Sequence, residues 1–295
     1  MTDILIIGGG IAGLTAALYS LRAGKSALVI EKATFGGQIT SSPRVDNYPG
    51  LPAVSGNELS DALLSQVLDL GGEIEMEDVS SLRAIDGGFA VAAGKREFTG
   101  RAVIVATGAR PRPLGIERED ELVGRGVSYC ALCDGAFHKG EDVAVVGGGN
   151  SAAQAAVELA NICRSVTVIQ EFDHFTCDRR DLDAMTARPN VRLMPSTKIT
   201  ALLGEDRLAG LSLTNGRTLD VTGLFVAIGR VPDTEAFIPP LAADAQGFFL
   251  TDESLATNLP GVWAAGDCRQ KTVRQLTTAA ADGTIAAVNA CRRLG

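Results

Sequence analysis

Short apolar runs separated by glycines dominate the first 35 residues of the chain. Residues 4–7 and 27–30 are continuously apolar, and residues 12–23 show a helical pattern between them. Continuous apolar strands are typical of a parallel sheet that is buried on both faces. The pattern therefore predicts a buried β-α-β unit with a glycine-rich turn after its first strand.

The same order of elements recurs in the middle of the chain. A strand is predicted over 143–146, glycines follow at 147–149, and a helix over 151–161 leads to a strand over 166–169. Two such units predict an α/β protein with two doubly wound, Rossmann-like nucleotide-binding domains. The tail has no glycine motif, so we expect it to complete the first domain, formed by 1–112 and 244–295. The second domain, 113–243, is then inserted.

Composition narrows the class of protein. Apolar residues make up 46% of the chain and charged residues 21%, as in globular domains. The net charge of −8 disfavours a nucleic-acid partner, which would require a basic face. No leader is visible at the start, and no apolar run approaches the roughly 18 residues of a membrane span. We therefore expect a cytoplasmic protein without a membrane or nucleic-acid partner.

The first glycine turn, residues 8–13, satisfies the pattern G-x-G-x-x-G. The first glycine allows a tight turn, the second lets a pyrophosphate approach the backbone, and the third lets the helix pack against the strand. A carboxylate that can accept hydrogen bonds from ribose hydroxyls stands at the end of the next strand. A nucleotide site is favoured over a turn used only for packing. Its predicted residues are Gly8, Gly10, Gly13 and Glu31.

The second glycine turn ends in alanine, a variant that the pattern allows. An NADP site usually has an arginine near the end of the next strand, but this chain has Glu171 there. A carboxylate favours the free ribose hydroxyl of NADH over the phosphate of NADPH, although Arg179 and Arg180 are near enough in sequence to rescue NADPH. The residues predicted for this nucleotide are Gly147, Gly149, Asn150, Ser151, Ala152, Gln170 and Glu171.

Two of the six cysteines, Cys130 and Cys133, have the spacing C-x-x-C. This spacing near a β-α-β unit favours a redox pair. A structural zinc site would need two more ligands, and the remaining cysteines and histidines are scattered, so no metal is expected. An inert buried pair is the other alternative.

The segment CALCDG, residues 130–135, directly precedes the second glycine turn and resembles the low-molecular-weight thioredoxin reductase family. The resemblance extends over essentially the whole chain, through residues 36–38, 47–50, 106–109, 227–230, 265–267 and 274–275. It implies an FAD-binding domain, an inserted NAD(P)-binding domain that carries the thiols, and a homodimer. It further implies FAD contacts from Gly37, Gln38, Asn47, Thr107, Gly108, Asp267, Arg274 and Gln275. The alternatives are a turn role for Asn47, a surface charge for Arg274 and a helix cap for Asp267.

The resemblance also implies separate roles for the two thiols. Cys133 faces the flavin, and Cys130 attacks the disulfide of a thioredoxin-like partner, with the inserted domain rotating between the two steps. Asp134 is the candidate proton donor and acceptor if burial favours its protonated form, and a helix N-cap is the alternative. His138 is a second candidate for proton relay, although a lone exposed histidine is favoured. We expect the other four cysteines to be packing residues.

One departure from the family concerns the electron donor. Members that use NADPH usually have His-Arg-Arg where this chain has Gln170, Glu171 and Phe172. The segment is more similar to the NADH-using flavoprotein partner of alkyl hydroperoxide reductase. We expect an enzyme of the thioredoxin-disulfide reductase type. The alternatives are a ferredoxin-dependent reductase, a small-molecule dithiol oxidase that uses oxygen, and a flavin-binding redox sensor.

Overall fold

The computed structural model describes residues 1–42, 44–45 and 47–295. The chain divides into two compact units. The first unit comprises Met1–Arg110 and Val231–Gly295, and the second comprises Pro111–Arg230. No helix among the described residues is both long and apolar enough to span a membrane.

The elements of both units follow in chain order. The strands are β1 (Thr2–Ile7), β2 (Ala27–Glu31), β3 (Glu73–Met76), β4 (Val79–Ile85), β5 (Gly88–Ala93), β6 (Arg96–Val105), β7 (Ala109–Pro111), β8 (Val127–Ser128), β9 (Asp142–Val146), β10 (Ser165–Ile169), β11 (Val191–Met194), β12 (Ile199–Leu203), β13 (Gly210–Leu213), β14 (Thr218–Leu219), β15 (Gly223–Val226), β16 (Arg230–Pro232) and β17 (Val262–Ala264). The α-helices are α1 (Ile11–Arg22), α2 (Gly56–Asp69), α3 (Glu119–Leu122), α4 (Ala131–Asp134), α5 (Asn150–Ala160), α6 (Arg179–Thr186) and α7 (Leu276–Leu294). Short 3-10 helices cover Gly37–Ser41, Gly135–His138, Glu235–Phe237 and Gly266–Cys268.

The sheet of the first unit has the order β3-β2-β1-β6-β5-β4, and β17 pairs in parallel with β6. Alternate residues of β1 enter different apolar clusters: Ile4 and Ile6 pack with α1 and α7, whereas Leu5 and Ile7 pack with β5 and β6 residues. Since successive strand residues point to opposite faces, both faces of β1 are covered. This burial explains why the strand is continuously apolar.

The second unit repeats this arrangement on a smaller scale. Its parallel sheet has the order β11-β10-β9-β15-β8, beside an antiparallel sheet β12-β13-β14. Val143 and Val145 of β9 pack on one face, and Ala144 and Val146 pack on the other. The prediction of an α/β fold with two Rossmann-like domains is confirmed.

Several boundaries differ from the prediction. The predicted helix over 151–161 is observed as α5, Asn150–Ala160. The second crossing between units lies at Arg230–Val231, earlier than the predicted 243–244. The segment after the crossing belongs to the first unit because it contacts residues of that unit. The amide of Asp233 donates to Gly108 O (3.2 Å), and the Phe237 ring packs edge-on against Phe249, with centroids 6.3 Å apart.

Candidate active site and nucleotide-binding sites

The thiol pair forms a disulfide at the start of α4. The Cα atoms of Cys130 and Cys133 are 5.3 Å apart, because one helical turn returns the chain to its starting side. The amides of Cys133 and Asp134 donate to Cys130 O at 3.2 and 3.1 Å. Cys133 is exposed and Cys130 partly buried, so the disulfide can be reached from solvent.

Asp134 follows the pair directly and has a partner that the sequence analysis missed. The Ser128 hydroxyl, at the end of β8, donates to Asp134 Oδ2 (2.6 Å) and accepts from the Cys130 amide (3.0 Å). The alternative role of Asp134 as a helix cap finds no support, since Cys130 caps α4 and Asp134 makes no capping bond to the next 3-10 helix. A polar residue at the end of a buried strand was the available sequence signal for Ser128.

His138 is not the exposed histidine that the sequence suggested. Only 8% of it is exposed. Its Nδ1 lies 2.9 Å from Glu141 Oε2, and its ring packs edge-on against Phe225. The pKa of the Glu141 carboxyl is lowered, chiefly because the Thr222 hydroxyl donates to it, and further by His138. His138 is therefore part of the packing of the second unit.

The remaining cysteines are free thiols. Burial raises the pKa of Cys163 and of Cys268 to about 11. Burial also raises the pKa of the half-buried Cys177 and Cys291. Since the thiolate is the reactive form, these residues suit packing and not exchange chemistry.

The three glycines of the first motif have the geometry expected of each. Gly8 has φ +106°, and a Cβ there would lie 2.3 Å from Ala106 O. A Cβ on Gly13 would lie 1.9 Å from Gly8 O, so this glycine lets α1 pack against β1. A Cβ on Gly10 would meet only Gly36 O, at 3.9 Å, so the space beside this backbone is open. A pyrophosphate could occupy that space.

The surroundings of the motif suit a dinucleotide. The N-terminus of α1 has no capping side chain and no acidic residue in its first turn, so its positive end is available to phosphates. The buried Glu31 carboxylate accepts from the amides of Gly9 (2.6 Å) and Ala33 (2.9 Å). It lines a cleft of about 290 Å³, whose wall also includes an ion pair between Lys32 and Asp233.

Other residues predicted to contact FAD lie in the first unit as follows. Gly37 faces Gly10, since a Cβ on Gly37 would lie 3.3 Å from Gly10 Cα. The Gln38 amide donates to Ala109 O. Gly108 has φ +75°, and a Cβ there would have Gln38 Nε2 as its nearest neighbour, at 3.9 Å. Thr107 lines the same cleft as Glu31.

The predicted residues near the tail form a second group. Asn47 Nδ2 donates to Gln275 Oε1 (3.2 Å). Arg274 is not a solvated charge, because its guanidinium lies 4.4 Å from the centre of the Phe248 ring. Asp267 lies in the 3-10 helix Gly266–Cys268, and no side chain caps that helix at its start. The open glycine backbone, the helix N-terminus and the buried Glu31 fit the pyrophosphate and ribose of an FAD.

The glycine turn of the second motif has the same backbone conformation as that of the first. Gly147 has φ +136°, and a Cβ there would lie 2.4 Å from Ala227 O. A Cβ on Gly149 would meet only Thr176 Oγ1, at 3.8 Å, and Ala152 is fully buried. The helix that begins at Asn150 has no capping side chain, and Ser151 is exposed. The backbone of this turn therefore has space for a dinucleotide.

The space around the second motif is occupied by the residues that follow β10. Gln170 is buried, and a Cβ on Gly148 would lie only 1.9 Å from Gln170 Nε2. Gln170 Nε2 also donates to His174 O (3.3 Å). The amides of Thr176 and Cys177 both donate to Gly148 O, at 2.7 and 2.9 Å. The segment 171–178 thus folds back over the glycine turn; we name it the covering segment.

The covering segment brings a carboxylate to the start of α5. Asn150 Nδ2 donates to Asp178 Oδ2 (2.9 Å), and the Asp178 amide donates to Asn150 Oδ1 (2.7 Å). A negative side chain at this place opposes a phosphate, because both favour the positive end of the helix. Sequence reasoning missed Asp178, which is far from the motif along the chain.

Two of the three residues expected to choose between NADH and NADPH, Glu171 and Arg179, are in ion pairs. Glu171 is exposed and pairs with Lys198. Arg179 pairs with Asp183 of its own helix at 2.9 Å. The Glu171 carboxylate is therefore bound to Lys198, one residue beyond Gln170, and the Arg179 guanidinium is held along α6.

Comparison with known proteins agrees with this geometry. The family of pyridine nucleotide-disulphide oxidoreductases matches residues 2–283. A thioredoxin reductase of Listeria innocua is 40% identical, over 98% of this chain and 92% of its own length. The 34.2 kDa protein in the rubredoxin operon of Clostridium pasteurianum is 38% identical, over 99% and 97%. The crystal structure of a thioredoxin reductase from Streptococcus pyogenes superposes with a TM-score of 0.94 at 34% identity, covering 100% of this chain and 98% of that one.

The chain belongs to the pyridine nucleotide-disulphide oxidoreductase family, and its likeness to low-molecular-weight thioredoxin reductases is confirmed. It is therefore an oxidoreductase, and membership of this family implies an FAD and a nicotinamide cofactor.

Proposed function

We propose that this protein reduces the disulfide of a thioredoxin-like protein through Cys130 and Cys133, with electrons from NADH passed through FAD. The observation that carries the proposal is the accessible disulfide with Asp134 hydrogen-bonded beside it. It occurs in a chain whose thioredoxin reductase relatives match nearly its full length.

The two glycine turns support a separate site for each nucleotide. The first unit would hold the FAD, with Gly10 beside its pyrophosphate and Glu31 beside its adenosine ribose. The second unit would hold the nicotinamide nucleotide at Gly147 and Gly149. When bound, FAD supplies the two-electron chemistry that connects a nicotinamide to a disulfide.

The thiol step then proceeds by exchange. The Cys130 thiolate attacks one sulfur of the partner disulfide, which forms a mixed disulfide and releases one partner sulfur as a thiolate. Cys133 attacks Cys130 Sγ, restores the Cys130–Cys133 disulfide and releases the second partner sulfur. Two electrons pass to the partner, and the two protons of the dithiol end on its thiols. Asp134 carries one of them, from Cys133 to a departing thiolate.

Two exposed apolar side chains, one between the two cysteines and one four residues after the second, favour a protein partner. Leu132 is 57% exposed and Phe137 is 50% exposed. Large apolar side chains at the surface are typical of positions that contact another protein. A small dithiol would need no such surface, and this observation favours the reductase over the dithiol oxidase.

The donor assignment rests on Glu171, whose carboxylate repels the extra phosphate of NADPH. One observation favours a second donor, a small iron–sulfur protein such as ferredoxin. Asp178 stands at the start of α5, where it opposes any dinucleotide, and the relative from C. pasteurianum is named for a rubredoxin operon. The homodimer, the cytoplasmic location and the rotation of the second unit stay predictions.

The test is reduction of thioredoxin by the FAD-loaded protein with NADH, NADPH or chemically reduced ferredoxin. We expect turnover with NADH to exceed that with NADPH, and we expect C130S and C133S each to abolish it. C163S is the matched control, because Cys163 is a buried packing thiol, and its activity should be that of the unaltered protein. Turnover that survives both C130S and C133S, or that occurs only with ferredoxin, contradicts the proposal.

A further inference from the structure

Ser128 is a buried, hydrogen-bonded side chain beside the thiol pair. It is 5% exposed and ends β8, where it pairs with Phe225 of β15. A buried hydroxyl must be hydrogen-bonded or it costs free energy of folding. Its position at the end of a strand that is fixed to the sheet makes the placement of its oxygen rigid.

The neighbouring groups determine which hydrogen bonds the Ser128 hydroxyl donates and accepts. It has one proton, which goes to Asp134 Oδ2 at 2.6 Å, so it can only accept from the Cys130 amide at 3.0 Å. The alternative acceptor for its proton is Cys130 O, at 3.4 Å. In the described part of the chain, Ser128 is the only side chain with a hydrogen bond to the Asp134 carboxylate.

We propose that Ser128 is a positioning residue for the proton transfer of the thiol step. This inference rests on the proposed function and adds a residue to it. Ser128 fixes Asp134 relative to the Cys130 backbone in both protonation states. It donates to the carboxylate, and when Asp134 has taken the Cys133 proton, Asp134 donates to Ser128 Oγ while the serine proton turns to Cys130 O. Ser128 itself gains and loses no proton.

A second serine–aspartate pair in the same unit provides a matched control. Ser165 Oγ donates to Asp142 Oδ1 at 2.7 Å. This pair joins the amino ends of β10 and β9, whereas Ser128 lies at the carboxyl end of β8. Arg164 and Ser165 lower the pKa of Asp142 to about 2, so that carboxylate stays ionised at every pH near neutrality. If the serine acts through proton transfer, removing the Ser128 hydroxyl should slow the thiol step and removing the Ser165 hydroxyl should not.

The test uses the FAD-loaded protein, reduced anaerobically with dithionite so that the nicotinamide donor is bypassed, and mixed with oxidised thioredoxin. S128A should slow reoxidation by about tenfold, the effect of one hydrogen bond to a charged group, with the concentration dependence on thioredoxin unchanged. S128T should restore the rate and S128V should not, since the two side chains have the same shape and differ in the hydroxyl. S165A should react as fast as the unaltered protein.

A double-mutant cycle separates positioning from general loss of structure. In the D134N background, S128A should cause almost no further loss, because the group that Ser128 positions can no longer carry a proton. If S128A does not fold, the difference in rate between S128T and S128V is compared in the same way, with and without D134N. Equal rates for S128T and S128V, or a full tenfold loss from S128A in D134N, overturn the inference. If the reduced unaltered protein does not reduce thioredoxin at all, the proposed function fails instead.

Discussion

The two glycine turns have the same backbone and different surroundings. Gly8 and Gly147 both have positive φ, and a Cβ on either would collide with a carbonyl of the neighbouring strand end, at 2.3 and 2.4 Å. At the end of the following strand, the first unit has Glu31, which accepts from the amide of Gly9. The second unit has Gln170, whose amide lies against Gly148 and bonds to the covering segment.

This difference shows what such a motif specifies. The glycines and the helix N-terminus create a place for a pyrophosphate, and they do so equally in both units. The charges around them decide which nucleotide binds and how tightly. A single buried carboxylate on the ribose side characterises the first turn, whereas Asp178 at the helix start and the exposed Glu171 characterise the second.

The largest effect should come from filling the open space beside each turn. G10A adds a methyl group where the fold has room but a pyrophosphate does not, so FAD affinity should fall by about a hundredfold while the FAD-free protein keeps its thermal stability. Quenching of flavin fluorescence measures the affinity. G149A is the reciprocal variant, and it should retain FAD and lose affinity for NADH. If G149A released FAD, or G10A left it bound, the assignment of nucleotides to units would be wrong.

Neutralising the ribose carboxylate of the first turn should have a smaller effect. E31Q keeps one acceptor for the Gly9 amide and loses the negative charge, so its FAD affinity should fall by about tenfold. E235Q is the control, since Glu235 lines the same cleft and makes no hydrogen bond with its side chain in the described residues. An equal loss in both variants would show that the overall charge of the cleft, and not Glu31, binds the ribose.

Reversing the charge at the second turn should change the choice of nucleotide. E171R should raise the ratio of NADPH to NADH affinity by about tenfold, because an arginine attracts the phosphate that Glu171 repels. Anaerobic titration of flavin absorbance with each nucleotide gives the ratio. D173R, with an equal charge change on an exposed neighbour, should leave the ratio nearly unaltered. If E171R left the ratio of NADPH to NADH affinity unchanged, the ribose of the nucleotide would not lie beside residue 171.

Removing the carboxylate at the start of α5 should have the smallest effect. D178N should bind NADH and NADPH alike about threefold more tightly, since it removes a charge that competes with the pyrophosphate for the helix N-terminus. D181N is the control, because Asp181 also bonds to α5, through Gln154, but beyond its first turn. Weaker binding in D178N would show that the Asn150–Asp178 pair orders the site and does not oppose the ligand.

The sequence predicts those features that depend on residues close together along the chain. Continuous apolar runs reveal strands buried on both faces, and the spacing from the glycines identifies Glu31, because these depend on neighbours along the chain. The second crossing was predicted at 243–244, which assigned residues 231–243 to the second unit. The segment instead belongs to the first unit through contacts such as that between Phe237 and Phe249.

Side-chain partners that are distant in sequence lie beyond such reasoning. The burial of His138 depends on Phe225 and on a carboxylate that Thr222 also binds. The position of Asp178 depends on how the covering segment folds back onto Gly148. Ser128 is an intermediate case, since the sequence places it two residues before Cys130, but only the structure shows its bond to Asp134.

In the proposed function, an electron pair from a nicotinamide nucleotide reaches Cys130 and Cys133. The most direct test of this transfer is to mix the FAD-loaded oxidised protein anaerobically with one equivalent of NADH, to quench with an alkylating agent near neutral pH, and to locate the label by mass spectrometry. Burial holds the pKa of Cys163 and Cys268 at about 11, so these thiols stay protonated and unlabelled. We expect Cys130 and Cys133 to become labelled, and we expect G149A to prevent the labelling. A disulfide that remains intact while NADH is oxidised would show that electrons from NADH do not reach this pair.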